Sequence, residues 1–177
     1  MSYDISLKDP VTNIVAEVPG HLMIGGTYKA DYHPETGMFT PALNTQADLN
    51  VTYNYGHYYR DTYEKGIRAI YGKTGLESIP MLEKMIENIK EKYKENGEWI
   101  TTKRTKRVYY DRHGNEIGFD KLLASDEKYS RVKDVEYEIN EGDASYYWDA
   151  TAANALKPLY QLIALAKMRP DCIWDGD

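Results

Sequence analysis

"TYNYGHYYRDTYEKGIRAIYGKTG", residues 52–75, holds six tyrosines, four glycines and four basic side chains in 24 positions, and its periodicity changes partway through. Leading into it, "ADLNVTYNYG" alternates: Leu49, Val51, Tyr53 and Tyr55 fall on one face, Asn50, Thr52 and Asn54 on the other, the pattern of a half-buried strand. From Tyr58 the spacing becomes helical. Tyr59, Tyr63, Ile67, Ile70 and Tyr71 share a face, which predicts a helix over 58–71 closed by Gly72. Outside residues 97–142, strand patterns lie upstream of this switch and helical ones downstream, so the expected fold class is α+β.

Upstream, "DISLKDPVTNIVAEV" reads as two short strands joined by a turn at Asp9–Asn13, and "HLMIGGTY" (21–28) as a third strand with a bulge at Gly25–Gly26. "KADYHPETGMFTPALNTQ" (29–46) is rich in turn residues and reads as a long loop. Downstream, Ile79, Leu82, Ile86, Ile89 and Tyr93 form the seam of a second helix over 78–95, capped by Ser78 with Pro80 in its first turn. A third helix is expected over 146–168, where Trp148, Ala152, Ala155, Leu156, Leu159, Leu162, Ile163 and Ala166 share a face and Pro158 introduces a kink. Between these helices, residues 97–142 are charged and β-rich, with a hairpin around His113-Gly114-Asn115. The expected architecture is one domain over 1–177: an N-terminal antiparallel sheet packed by about three helices, with an inserted β-hairpin region at 97–142.

The chain has 177 residues, enough for an ordinary core, and 12% aromatic residues at a mean hydropathy of −0.66, which is too aromatic for a disordered chain. Of these aromatics 17 are Tyr, against two Phe and three Trp, so aromatic area comes with hydroxyls that need partners or an interface. A net charge of −6 and a pI near 5.3 argue against a general nucleic-acid binder, although a local basic patch is compatible with both. The single cysteine, Cys172, excludes an internal disulfide and has acidic neighbours rather than the cation that would activate a thiol. No leader pattern and no apolar run of membrane-spanning length is present, so the expected location is the cytoplasm.

"YGKTG" (71–75) matches the end of a phosphate-binding loop, but the pattern requires Gly where Ile67 stands and a preceding strand where the sequence is helical. A weaker role survives, with Lys73 and the amides before the second helix holding an anion. His21, His33, His57 and His113 lack the spacing of a zinc site, and Asp171, Asp175 and Asp177 lack the glutamate of a calcium loop, so no metal or cofactor is expected. No G-x-S-x-G is present.

Two candidate surfaces follow. In the first, Tyr28, Tyr53 and Tyr55 stack on a base, Asn54 reads its edge, and Arg68 or Lys73 meets phosphate. This describes a protein that sequesters a small nucleotide-like ligand without catalysis. In the second, Trp99, Arg104, Arg107, Tyr109 and Tyr110 of the insertion anchor a protein partner. The same basic run beside aromatics is also the composition of a nucleic-acid contact or of an ordinary solvated edge. An enzyme cleaving a nucleotide signal would need a nucleophile, base or metal to which no motif points. Self-association is a further expectation, given an acidic, Tyr-rich surface with a sheet edge.

"SYDISLKDPVT", "GGTY", "LNVTYNYG", "GIRAIYGKTGLESIPMLEKMI", "YYWDATAANALKPLYQLIALAKMRPD" and "WDGD" together resemble a family of small proteins of no established activity encoded by bacteriophages and prophages, mainly of Firmicutes. The resemblance covers most of the chain outside about 97–142. It implies a phage accessory protein acting in a bacterial cytoplasm, of the kind that neutralises host defence by sequestering a nucleotide-derived signal or by clamping a host defence protein. It assigns no residue a role.

Overall fold

The computed structural model describes residues 2–19, 30–41, 44–118 and 131–177. The chain begins with strands β1 (Ser2–Lys8), β2 (Glu17–Pro19), β3 (Ala30–His33), β4 (Met38–Pro41), β5 (Asn44–Gln46) and β6 (Asp48–Thr52). Helix α1 (Gly56–Thr62) follows, flanked by 3-10 turns at Tyr53–Tyr55 and Gly66–Ile70, and then α2 (Gly75–Tyr93). Next come β7 (Lys94–Glu95), β8 (Glu98–Trp99), β9 (Thr101–Tyr110), β10 (Glu116–Ile117) and β11 (Arg131–Asn140), and the chain closes with α3 (Ala152–Met168) and β12 (Ile173–Gly176). The fold is α+β with antiparallel pairing in every sheet. Among the described residues no helix is long and apolar enough to cross a membrane.

The main sheet has the order β12-β1-β6. Its inner face is built by alternation: Ile5 lies opposite Leu49, Tyr3 opposite Val51 and Leu7 opposite Trp174, and all six are buried. These side chains share one core with the three helices, to which α2 contributes Leu82, Met85 and Ile89 and α3 contributes Ala155, Leu159 and Leu162. Because β12 and β6 fill both edges of β1, the N-terminal hairpin forms only at its turn. Asp9 Oδ1 accepts from the N–H groups of Val11 and Thr12 at 2.9 Å, and one bridge joins Lys8 to Val15. The returning chain then leaves β1, and β2 pairs with β5. The expected loop at 29–46 is likewise partly paired, as β3 with β4 and β5 with β2. The strand expected at 21–28, and Tyr28 with it, lies outside the described residues.

All three helices depart from the expected bounds for identifiable reasons. The helix expected over 58–71 is broken after α1, because Lys65 and Gly66 take φ of 63° and 57°. A Cβ on Gly66 would also press to 3.2 Å from the Arg60 backbone nitrogen, so the break requires glycine there. Helix α2 starts earlier than expected. Thr74, not Ser78, is its cap, in a reciprocal capping box with Glu77, while Ser78 is buried and its hydroxyl accepts from Trp174 Nε1 at 2.7 Å. Pro80 therefore sits in the second turn, and the carbonyl it leaves without a donor belongs to Leu76, a residue 65% exposed. Helix α3 starts at Ala152 behind the cap Thr151 and continues through Pro158, which leaves Tyr146 and Trp148 outside it.

The insertion is a projecting arm. β9 and β11 pair through ten positions, from Thr101 opposite Asn140 to Tyr110 opposite Arg131; the face of Lys103 and Arg107 is almost wholly exposed, while that of Arg104 and Lys106 is half-covered, with Val108 buried. β10 adds to the far end of β9 through the expected hairpin, whose turn is organised by Asp111 Oδ1 accepting from the N–H groups of His113 and Asn115. At the near end, β7 and β8 turn tightly through Asn96 and Gly97, with φ of 53° and 85°, the left-handed pair that an Asn-Gly hairpin needs.

Candidate functional site: an aromatic ledge at the foot of the arm

Where the arm meets the body, Glu141 is fully enclosed between β9, α1 and the start of α3. Its Oε1 accepts from Arg104 Nη2 at 2.9 Å and from the Thr102 hydroxyl, and its Oε2 accepts from the Ala152 N–H at 2.9 Å and from Tyr58 Oη at 2.5 Å. Burial alone would raise this carboxyl's pKa. The hydrogen bonds from Thr102, Tyr58, Arg104 and the Ala152 amide outweigh it and hold the group below its ordinary value. Arg104 also donates to Tyr58 Oη at 2.8 Å, and its Nη1 lies 2.8 Å from His57 Nε2. Burial, and then the Arg104 charge, depress His57, so the ring is a neutral acceptor facing a guanidinium.

On the body side of His57 lies a group of aromatic and polar side chains. Thr52 caps the 3-10 turn that presents Tyr53 and Asn54. Asn54 Nδ2 donates to the Trp148 carbonyl at 3.1 Å, and the Trp148 ring stands 55% exposed beside Tyr147, with ring centres 5.4 Å apart. Tyr146 is 59% exposed. Tyr53 packs edge-on to Tyr3 at 4.4 Å, the Arg68 guanidinium lies 5.2 Å from the Tyr3 ring centre, and Arg60 Nη1 reaches Tyr3 Oη at 3.4 Å. The result is an open ledge of rings with an amide edge and arginines alongside.

Of the residues expected in a ligand site, the structure brings Tyr53, Asn54 and Arg68 into this neighbourhood and separates the others. Tyr55 is completely buried. Its hydroxyl donates to the Tyr147 carbonyl and burial pushes its pKa well up, so it is a core residue and offers no stacking face. Lys73 is placed elsewhere, with its N–H donating to the Ile70 carbonyl and its own carbonyl accepting from the Trp174 N–H. The anion cradle expected around it is already filled. The N–H groups of Gly72, Gly75 and Leu76 donate to the carbonyls of Trp174, Cys172 and Pro170, and that of Thr74 donates to Glu77 Oε2.

The five residues of the alternative surface do not form one patch. Trp99 is half-buried at the arm's base, under Lys94 Nζ at 4.5 Å and against Gly142, where a Cβ would come within 2.4 Å of the indole. Arg104 is committed to the Glu141 network. By strand alternation, Arg107 and Tyr109 lie on one face of the ribbon and Arg104 and Tyr110 on the other, and Arg107 pairs with Asp134 at 3.0 Å.

The ligand atoms of Asp9, Asp171 and Cys172 lie within 4.8 Å of one another, but Arg169 Nη2 already sits 3.9 Å from Asp9 and 3.3 Å from Asp171 and supplies the positive charge. The three C-terminal acids are dispersed: Asp175 pairs with Lys8, and Asp177 accepts from the Asp4 N–H. Cys172 is buried and its thiol pKa is raised by that burial, consistent with a packing role.

Sequence reasoning missed Trp148, Tyr146, His57 and Glu141. Trp148 falls on the helical face by count, and only the Asp143-Ala144-Ser145 turn chemistry ahead of it signals that the helix has not yet begun. Comparison of the chain with family models, with curated proteins and with solved structures gives no match.

Proposed function

We propose that this chain is a binding protein that sequesters a nucleotide-like ligand on the ledge formed by Tyr53, Asn54 and Trp148. One observation carries the reading. Asn54 Nδ2 is fixed on the backbone carbonyl of Trp148, so two exposed residues are held together, one with an indole of the kind that stacks on a base and the other with a carboxamide of the kind that reads its edge. Arg68 and Arg60, held around Tyr3, supply charge for phosphate. The resemblance to phage-encoded proteins adds the setting: a bacterial cytoplasm, and a nucleotide-derived defence signal as the ligand. Native mass spectrometry of protein purified from phage-infected cells, repeated after denaturation, tests this. A released nucleotide-like mass that is absent from Trp148→Ala supports the proposal, and an empty wild-type protein contradicts it.

A second reading is favoured by the arm, which is anchored at its foot and exposes most of the described side chains of β9 and β11: inhibition of a host defence protein through residues 97–142. Capture of a protein that is lost with arm variants and retained by Trp148→Ala would select it.

A further inference from the structure

The register of the arm sorts its charges. On one face lie Arg104, Lys106, Val108 and Tyr110 of β9, directly opposite Tyr137, Val135, Lys133 and Arg131 of β11. That face has four cations and two tyrosines and takes no carboxylate from either strand. The opposite face holds all three acids, Asp134, Glu136 and Glu138, beside Lys103 and Arg107. In a chain of net charge −6 this is a local basic stripe, and Lys106, Lys133, Arg131 and Tyr137 are exposed along it. Among the described residues its acidic neighbours are Glu141, which holds Arg104 at the foot, and Glu116 of β10, 3.8 Å from Lys106 and itself exposed, an arrangement that water screens.

The stripe continues into the ledge. Arg104, its innermost cation, touches His57 at 2.8 Å, and beyond His57 lie Asn54 and Trp148. We infer that the ligand is a single-stranded oligonucleotide that stacks on the ledge and runs its phosphates along this face of the arm. The inference rests on the nucleotide reading of the ledge and extends it. Size selects this occupant over a protein. Ten residues of ribbon make a face about 34 Å long and about 10 Å wide, whereas a stable protein interface needs roughly 800 Å² from each side. A strand of a few nucleotides needs only a narrow groove with cations and rings in alternation. Same-face residues recur about every 6.8 Å along a strand, close to the step between phosphates in an extended chain. Arg131 beside Tyr110, 5.1 Å from its ring centre, repeats at the outer end the pairing of Arg104 opposite Tyr137 near the foot.

The test is fluorescence anisotropy of the full chain with labelled dT20 and rU20, and with ATP, a cyclic dinucleotide and poly-glutamate as separate probes. Oligonucleotide binding is expected to weaken about 20-fold between 50 and 200 mM salt, as three neutralised phosphates require. Lys106→Glu with Lys133→Glu should cost at least tenfold, and Trp148→Ala about 5- to 150-fold for a lost stacked base. Glu136→Gln with Glu138→Gln on the other face should change affinity less than threefold. If ATP or the dinucleotide binds in a Trp148-dependent way and the oligonucleotides do not, the strand inference is overturned and the ledge reading stands. Equal losses from both faces, or poly-glutamate binding as tightly as dT20, also overturn it. No binding of any nucleotide probe removes both readings.

Discussion

Glu141 stays ionised inside the protein because four donors reach its two oxygens, and the same donors make it hard to replace. Removing one member of a buried ion pair leaves the other charged and unsolvated, at a cost of about 3–5 kcal/mol. Glu141→Ala and Arg104→Met should therefore each lose about that much in urea unfolding, while the double variant should lose less than their sum. His57 gives the network a pH dependence whose sign can be worked out. Its folded pKa is depressed, so the unfolded chain takes up the proton first as pH falls. Its contribution is fully present above the ordinary histidine value of about 6.5 and is lost as pH falls through the lower folded value. A melting temperature that drops between pH 7 and pH 5 in the wild type, and drops less in His57→Gln, is the expected result. An unchanged slope in that variant would place the dependence elsewhere. None of this network was legible in the sequence, since Glu141 is one of 28 acids and only the register of β9 and β11 delivers it to Tyr58.

At the scale of elements, the strands and helices with strong internal patterns were legible and their ends were not. Leu49 and Val51 are inward as the alternation requires, and Leu82, Ile86 and Ile89 form the buried seam of α2. The boundaries failed where a local hydrogen bond outranks the pattern. Thr74 and Glu77 start α2 a full turn before Ser78, because each satisfies the other's backbone N–H. Thr74→Ala should lower stability by about 1 kcal/mol, visible as a fall of about 2–4 °C in the melting temperature of a chain of this size. The break after α1 was hidden for the opposite reason. Tyr59, Ile67 and Ile70 all face inward as one helix would have them, while Lys65 in a left-handed conformation interrupts the backbone between them. Lys65→Gly removes that strain and should raise stability by up to about 1 kcal/mol, measured against the wild type in the same denaturant series.

At the scale of the whole molecule, two tiers of stability are built into one chain. The body is closed by its two ends: β12 pairs with β1 in the centre of the main sheet, and the buried Trp174 bonds Ser78 through Nε1 while its carbonyl accepts from Gly72. Among the described residues the arm buries only Val108 between its foot and its far end, since its strands pair chiefly with each other and expose most of their side chains. Hydrogen exchange should separate the tiers. Amides of β1 and α2 should open only with global unfolding, whereas those of β9 and β11 beyond Arg104 should exchange through local opening at lower free energy. The closing strand supplies the sharper test. Trp174→Ala opens a large cavity beneath the sheet and should cost about 3–5 kcal/mol, a large fraction of the roughly 5–15 kcal/mol that holds a domain together. Ending the chain at Cys172 removes that ring and also leaves one edge of β1 without a partner, so the shortened protein should show no cooperative thermal transition. If it melts cooperatively within a few degrees of the wild type, then β12 is an appendage and the core is completed by the helices alone.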